Sequence, residues 1–229
     1  MTILCIQFKL LKIKKRNPDM TDFNDIKESL VNLDEPRMLQ LVKDALENGN
    51  LAGDILNKGL IAAMDIIGEK MEKGDMFIPE VLMAAQVMAN GLRVLKPFLK
   101  EGESSSRGCV VIGTVKGDLH DIGKNLVAMM MESAGFTVHN LGVDIPPEGF
   151  VKAIKEKNAG ILCLSALLTT TMPMMKQTVD AVVESGLRDQ IKIMVGGAPV
   201  TQDFAHNIGA DAYAPDAGSA ARTAKTLLI

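Results

Sequence analysis

The stretch "CVVIGTVKGDLHDIGKNLVAMMMESAG", Cys109 to Gly135, contains the pattern from which the fold of the second half of the chain follows. It begins with a short β-branched apolar run, continues through a glycine-rich turn, and ends in apolar residues at three- and four-residue spacing. Such a run is typical of a buried strand, and such spacing is typical of a helix. The stretch therefore predicts a strand, a turn and a helix.

Four similar units follow this one. Their predicted strands are "FTVHNLG", "GILCLSA", "IKIMVGG" and "ADAYA". The helical patterns of all five units start near Asp121, Pro146, Met172, Thr201 and Ala217. Strands that alternate with helices predict an α/β fold with a doubly wound parallel sheet and right-handed crossovers. Five units in about 120 residues suit a flavodoxin-like or Rossmann-like domain of strand order 2-1-3-4-5.

The first half of the chain has a different pattern. From about residue 21 to residue 100 apolar residues recur with helical spacing, which predicts four or five amphipathic helices in a small bundle. We therefore predict a helical domain at residues 20–100, a polar linker at 101–107 and the sheet domain at 108–229. Residues 1–19 are interpreted as a non-native or wrongly annotated extension, with an amphipathic surface anchor as the less favoured alternative.

Composition limits the classes of function. The 229 residues include 47% hydrophobic and 23% charged residues, and the net charge is −3. This mild acidity does not favour nucleic-acid binding, and no apolar stretch is long enough to predict a transmembrane helix. The three cysteines are far apart in sequence and lack zinc-ligand spacing, which indicates reduced thiols. We expect a cytoplasmic protein with no nucleic-acid or membrane partner.

The turn after the first strand carries the most unusual residues. His120, one of three histidines, stands two residues after Asp118. A metal-bound histidine commonly donates its second ring N–H to a carboxylate. A zinc site needs three or four protein ligands, however, and no other ligand is close in sequence. If His120 binds a metal, the metal must bring most of its ligands, and a macrocyclic cofactor is the natural candidate.

The predicted topology brings other residues to the same edge of the sheet. Ser165 follows the third strand, and Gly196 and Gly197 follow the fourth. Parallel strands end at one edge, where ligands of open α/β sheets bind. The glycines match neither a dinucleotide-binding fingerprint nor a P-loop. The third strand is followed by "LSALLTTT", which lacks the aspartate of a receiver domain.

At this point "GDLHDIGKN" resembles the D-x-H-x-x-G signature of cobalamin-binding domains. Ser165-Ala166-Leu167 resembles the S-x-L motif of the same family, and Gly196-Gly197 its paired glycines. The helical half, including "GDMFIPEVLMAAQVM", is similar to the cap that precedes this domain in methionine synthase. The arrangement as a whole resembles the small corrinoid proteins of methylotrophic and methanogenic methyltransferase systems.

The resemblance implies a role for each matching residue. His120 would be the lower axial ligand of cobalt, and Asp118 and Thr171 would form the hydrogen-bond relay that orients it. The nucleotide tail of the cofactor would enter a deep slot. The residues expected to bind the cofactor there are Gly117, Leu119, Asp121, Ile122, Gly123, Ser165, Leu167, Thr169, Gly196, Gly197, Tyr213 and Ala217. Phe77, Val87 and Met83 would shield the methyl group from the cap side.

The resemblance also implies a function. The cofactor would be cobalamin or a related corrinoid, alternating between cob(I)alamin and methylcob(III)alamin. A substrate-specific corrinoid methyltransferase would load the methyl group, and a second methyltransferase would pass it to a thiol or a tetrahydrofolate-type acceptor. A reductive activase is a further expected partner. The chain itself is interpreted as a non-catalytic carrier, so no catalytic residue is assigned, and residues 101–107 would be the hinge of the cap.

Two other functions use the same domain. One is the small subunit of an adenosylcobalamin-dependent mutase, which would not need a methyl-shielding cap. The other is a cobalamin-based sensor, which is expected to carry a DNA-binding helix-turn-helix. The basic cluster at residues 12–16 is too short for one. The methyl donor, which in similar systems is a methylamine, methanol, an aryl ether or a betaine, is not specified by the sequence.

Overall fold

The first half of the chain folds into a helical bundle in the computed structural model, which describes residues 23–99 and 106–228. A π-helical segment (Ile55–Ile61) joins the third helix to the fourth, and a 3-10 turn (Lys96–Phe98) follows the fifth. The α-helices are α1 (Asn24–Val31), α2 (Glu35–Glu47), α3 (Ala52–Asp54), α4 (Ala62–Lys73) and α5 (Ile78–Leu95).

Local signals in the sequence explain where the longer bundle helices begin and end. Asp34 caps α2 by accepting a hydrogen bond from the backbone N–H of Arg37. Helix α4 ends at Gly74, whose left-handed φ of 75° favours glycine. At the start of α5 the Glu80 carboxylate accepts the N–H of Phe77 at 2.8 Å. These residues account for where α2 and α5 begin and where α4 ends.

The second half is the predicted five-stranded parallel sheet. The strand order is β2-β1-β3-β4-β5, which confirms the doubly wound α/β prediction. The strands are β1 (Cys109–Thr114), β2 (Thr137–Asn140), β3 (Ile161–Ser165), β4 (Lys192–Gly196) and β5 (Ala212–Tyr213). The connecting helices are α6 (Ile122–Ser133), α7 (Pro147–Lys157), α8 (Met172–Glu184) and α9 (Gln202–Ile208), with α10 (Ala217–Leu227) after the last strand.

The two faces of the sheet are covered differently. On one face, α7, α8 and α9 pack over a core that contains Phe150, Val179 and Ile208. On the other face, α6 and α10 lie between the sheet and the bundle, and buried residues of all three layers form one continuous apolar core. The bundle is therefore fixed against α6 and α10.

Some predictions fall on residues that the structure does not describe. The predicted extension at residues 1–19 and most of the predicted linker lie outside the described residues. The division into residues 20–100, 101–107 and 108–229 therefore stays a prediction. The end of the linker is described, and there the N–H of Arg107 donates to the carbonyl of Gly135 at 2.9 Å. In the described part of the chain, no helix has the length and apolar character needed to cross a membrane.

Candidate functional site

The turn between β1 and α6, which contains Asp118, is held by hydrogen bonds at both of its ends. Gly117 has a left-handed φ of 82°, and its N–H donates to the Asp144 carboxylate at 2.7 Å. The hydroxyl of Thr114, at the end of β1, donates to the carbonyl oxygen of His120 at 2.9 Å. These two hydrogen bonds hold the turn at both ends.

Asp118 is fully buried and accepts several hydrogen bonds. Its Oδ1 lies 2.8 Å from Nδ1 of His120. Its Oδ2 accepts the Thr171 hydroxyl at 2.7 Å and the N–H of Leu167 at 2.8 Å. The carboxylate thus connects the turn after β1 to the turn after β3. It contacts His120 and Thr171, the other two side chains that the resemblance assigns to a relay.

These contacts determine the charge of Asp118. Burial alone raises the pKa of this carboxyl, because desolvation disfavours the ionised form. The hydrogen bonds from Thr171, from the backbone of His120 and Leu167, and from the His120 ring outweigh that effect and hold the pKa of Asp118 well below its ordinary value. Asp118 is therefore an ionised acceptor at neutral pH.

The ring of His120 is oriented by this carboxylate. Its Nδ1 faces Asp118, while half of the side chain, 51%, remains exposed at the mouth of a cavity. A carboxylate at Nδ1 fixes the tautomer that carries the proton there, so Nε2 is left with a free lone pair. His120 can therefore offer Nε2 to a metal above the edge of the sheet.

The cavity has a volume of about 610 Å³ and lies between the sheet, α6, α10 and the bundle. It opens at the carboxyl ends of the strands, where the topology predicts a ligand. The bundle contributes Met71 and Ile78 to its wall. The predicted cofactor-binding residues that line it are Leu119, Asp121, Ile122, Gly123, Ser165, Leu167, Gly196, Gly197 and Ala217.

Three predicted cofactor-binding residues lie elsewhere. Tyr213 packs against the core on the opposite face of the sheet, because neighbouring residues in a strand point to opposite faces. The next residues, Ala214 and Pro215, line the cavity instead. Thr169 is exposed in the turn before α8 and does not border the cavity, and Gly117 shapes the turn without lining the cavity.

The bundle residues predicted to shield the methyl group differ in exposure. Phe77 is 68% exposed and Met83 is 56% exposed. Val87 is only 5% exposed and belongs to the bundle core, so it does not share the surface of the other two. Ile78, the residue after Phe77, lines the cavity. The sequence did not predict this contact.

The glycines of the site serve two different purposes. A Cβ on Gly123 would meet nothing within 4 Å, so this position leaves open space beside the cavity. A Cβ on Gly197 would lie 1.9 Å from the carbonyl oxygen of Ala166, and one on Gly196 would lie 2.9 Å from that of Ala214. Gly123 therefore leaves room beside the cavity, whereas Gly196 and Gly197 let backbone segments approach each other.

A network of polar side chains around Lys124 lies beside the cavity, and the sequence did not predict it. Lys124 is 3% exposed, and its Nζ donates to Oδ1 of Asn125 at 2.6 Å and of Asn140 at 2.7 Å. Burial lowers the pKa of this lysine, and the nearby charge of Asp121 opposes that shift. Only the polar "GKN" at the start of an otherwise apolar helix hints at this network in the sequence.

The donor set suits a metal that brings its own ligands. Within residues 23–99 and 106–228, no three His, Cys, Asp or Glu side chains lie close enough to hold a metal ion. One oriented imidazole beside a deep, mostly apolar cavity fits a macrocycle that supplies the remaining ligands and has a bulky tail. The fold and the site together define a corrinoid-binding α/β domain with a helical bundle packed against it.

Family comparison gives the same class. A B12 binding domain model matches residues 108–224, and a second B12 binding domain model matches residues 23–96. The chain belongs to the B12-binding domain family. Its cofactor is therefore cobalamin or a related corrinoid.

Individual relatives are similar over most of the chain. Dimethylamine corrinoid protein 1 of Methanosarcina acetivorans is 48% identical over 76% of this chain and 83% of its own length. A cobalamin-binding protein from Desulfitobacterium hafniense superposes with a TM-score of 0.79 at 33% identity, covering 90% of this chain and 98% of its own. The methanol:cobalamin methyltransferase complex MtaBC of Methanosarcina barkeri superposes with a TM-score of 0.76 at 29% identity. The match covers 90% of this chain and 79% of the chain in that complex.

Proposed function

We propose that the protein carries a methyl group on the cobalt of its corrinoid, from a substrate:corrinoid methyltransferase to a second methyltransferase that acts on a thiol or a tetrahydrofolate-type acceptor. The observation that carries the proposal is the contact of Asp118 with both His120 and Thr171 at the mouth of the cavity. Similarity to a dimethylamine corrinoid protein and to a methanol methyltransferase complex supports the methyl-carrier role.

Each residue of the relay has a distinct task. His120 would hold the cobalt of the corrinoid through Nε2, because its Nδ1 faces Asp118. Asp118 holds the proton of Nδ1, and this keeps the imidazole in the tautomer that can bind a metal. Thr171 donates to the other carboxylate oxygen and keeps Asp118 ionised. With Nδ1 of His120 against Asp118 and the Thr171 hydroxyl on the other carboxylate oxygen, the three side chains could hold a proton when Nε2 of His120 is not bound to a metal.

When bound, the corrinoid supplies a cobalt atom that accepts a methyl group and passes it on. The chain contributes binding, orientation and exclusion of water. The cavity between the sheet and helices α6 and α10 would hold the nucleotide tail. Phe77 and Met83, which are exposed on the bundle, are the residues proposed to shield the methyl group.

The proposed partners are two methyltransferases, one that recognises the methyl donor and one that recognises the methyl acceptor. The two similar proteins are named for dimethylamine and for methanol, so the class of donor follows the partner and not this fold. A reductive activase is the third proposed partner. Each partner would reach cobalt only after the bundle moves aside, for which residues 101–107 are the proposed hinge.

The ligand assignment is tested by electron paramagnetic resonance of the Co(II) form of the reconstituted protein. We expect coupling to an imidazole nitrogen that persists with a corrinoid lacking its base and disappears in His120→Ala. His206→Ala is the matched control, because His206 is exposed on α9. A spectrum that His120→Ala leaves unchanged contradicts the assignment.

The methyl-carrier role is tested on protein purified in the dark from its own host. We expect light to release a methyl group from the bound corrinoid. Release of a deoxyadenosyl group would contradict the carrier role and favour the mutase alternative.

A further inference from the structure

The turn after β4 lies directly against the turn after β3. Gly197 follows β4, and a Cβ on it would overlap the carbonyl oxygen of Ala166 and lie 2.9 Å from the carbonyl carbon. Ala166 follows β3 and is fully buried, so its backbone has no free space into which to withdraw. The φ of Gly197 is 134°, a backbone conformation that also favours glycine. Glycine at position 197 therefore allows the two turns to meet.

The two residues after Ala166 hold one oxygen of the buried Asp118 carboxylate. The N–H of Leu167 donates to Oδ2 of Asp118 at 2.8 Å, and the N–H of Leu168 donates to it at 3.3 Å. The Thr171 hydroxyl donates to the same oxygen at 2.7 Å. Backbone groups thus share with Thr171 the task of holding this oxygen, and the carboxylate can keep its place only while the backbone of residues 166–168 keeps its own.

The other oxygen of the same carboxylate holds His120. Oδ1 of Asp118 lies 2.8 Å from Nδ1 of the ring and accepts the backbone N–H of His120 at 3.1 Å. A carboxylate group is rigid and planar, so a shift that breaks the contacts of Oδ2 also moves Oδ1. A continuous path of contacts therefore leads from Gly197, through residues 166–168 and Asp118, to the ring of His120.

We infer that Gly197 is a positioning residue for His120, which acts through the backbone of residues 166–168 and through Asp118. The inference deepens the proposed function, because it rests on His120 as the proposed cobalt ligand. It gives Gly197 a task besides bordering the cavity, and this task is carried out before any corrinoid binds. Gly196 differs from its neighbour, since a Cβ on it would meet the carbonyl oxygen of Ala214 after β5.

The tautomer of His120 is the property that this path controls. In Gly197→Ala the new Cβ would push residues 166–168 away from the turn after β4, and the N–H of Leu167 would leave Oδ2 of Asp118. Oδ1 would then no longer face Nδ1, and the ring would also populate the tautomer with its proton on Nε2, which has no lone pair there for a metal. We expect the ratio of the Nδ1–H to the Nε2–H tautomer to fall at least about tenfold.

Nitrogen-15 NMR of the imidazole rings in the corrinoid-free protein measures this ratio. The chain has three histidines, and His120→Ala identifies which signals belong to His120. Gly186→Ala is the matched control, because it also places a Cβ on backbone of positive φ, 73°, but with nothing within 4 Å. It should keep the wild-type ratio. A purely structural role would destabilise the fold without changing the tautomer, so a wild-type ratio in folded Gly197→Ala overturns the inference.

A backbone substitution decides if Gly197→Ala does not fold. Replacing Leu167 by its α-hydroxy acid turns the N–H into an ester oxygen and keeps the side chain. The tautomer ratio of His120 should fall at least about threefold. The same replacement at Thr169 is the control, because it lies beyond the two N–H groups that contact Asp118. An unchanged ratio in the Leu167 ester overturns the inference, since Gly197 is inferred to act through this N–H.

Electron paramagnetic resonance of the reconstituted Co(II) form separates this inference from the proposed function. Imidazole coupling should be lost in a larger share of the bound cobalt in Gly197→Ala than in Gly186→Ala. A changed tautomer ratio in Gly197→Ala, together with no imidazole coupling in the wild-type protein, would contradict the proposed function and leave the positioning of His120 standing. Imidazole coupling in the wild-type protein, together with an unchanged ratio in Gly197→Ala, would overturn the inference and leave the proposed function standing.

Discussion

Thr171 is the member of the relay whose contribution can be measured without the cofactor. Its hydroxyl donates to the buried, ionised Asp118 at 2.7 Å, and it is itself only 6% exposed. We expect Thr171→Val to lower the free energy of unfolding by about 1.5 to 3 kcal/mol, because a hydrogen bond to a charged group is lost at a buried site. Urea denaturation of the corrinoid-free protein measures this change.

Thr171→Ser is the control, since it keeps the donor and removes only a methyl group. It should stay within about 1 kcal/mol of the wild-type protein. If the serine and valine variants are equally destabilised, packing and not the hydrogen bond explains the effect. A separate readout is the Co(II) spectrum, in which only the valine variant should show weakened histidine ligation.

Individual residues of the site differ in how well the sequence predicts them. Asp118 and His120 were identifiable because a carboxylate two residues from a histidine in a strand-to-helix turn is an unusual pattern. Tyr213 packs on the face of the sheet opposite the cavity, since a shift of one residue in a strand reverses the direction of a side chain, and its contact with the cofactor stays a prediction. The contact from the N–H of Leu167 to Asp118 spans 49 positions in sequence, and no local pattern reports it.

Among the elements, α4 of the bundle and α10 of the sheet domain approach each other closely at two glycines. A Cβ on Gly218 would lie 2.9 Å from the carbonyl oxygen of Gly68, and backbone cannot move aside as a flexible side chain does. We expect Gly218→Ala to separate the two helices and to increase amide hydrogen exchange in α4 and α10. The matched control is Gly68→Ala, whose Cβ would meet no atom closer than 3.5 Å.

These two variants distinguish a steric effect from a change in helix propensity. Alanine favours a helix over glycine at both positions, so propensity alone would stabilise both variants. The steric explanation predicts faster exchange in Gly218→Ala only. Unchanged or slower exchange in that variant would mean that the close approach is not required for docking of the bundle.

Secondary structure was more predictable than the packing of elements on one another. All five strands and the starts of the helices that follow them were visible as changes between two-residue and 3.6-residue periodicity. In the structure, Asp34 caps the start of α2 and Gly74 ends α4. The packing of the bundle on α6 and α10 was not visible, because it depends on small residues such as Gly218 that have no distinctive local pattern.

At the scale of the whole molecule, two ion pairs link the bundle to the sheet domain within residues 23–99 and 106–228. Asp65 pairs with Lys225, and Glu72 pairs with Arg222 and accepts the Ser219 hydroxyl at 3.2 Å. Both acidic residues lie on α4 and both basic residues lie on α10. The proposed function requires the bundle to leave the corrin, so these pairs should set part of the free energy of that opening.

The last prediction concerns Lys225→Met, which keeps the length of the side chain and removes its charge. The Lys225 side chain is 19% exposed and that of Asp65 is 38% exposed, so solvent screens the pair and its loss should cost no more than about 1 kcal/mol. We expect amide exchange at the α4–α10 contact to become about two- to fivefold faster at low salt. The difference from wild type should shrink in concentrated salt, because exposed ion pairs are screened. Lys152→Met is the control, since its partner Glu156 lies on the same helix, α7. Equal exchange in both variants would mean that the Asp65–Lys225 pair does not help to hold the bundle, and that the remaining contacts between α4 and α10 set the free energy of opening.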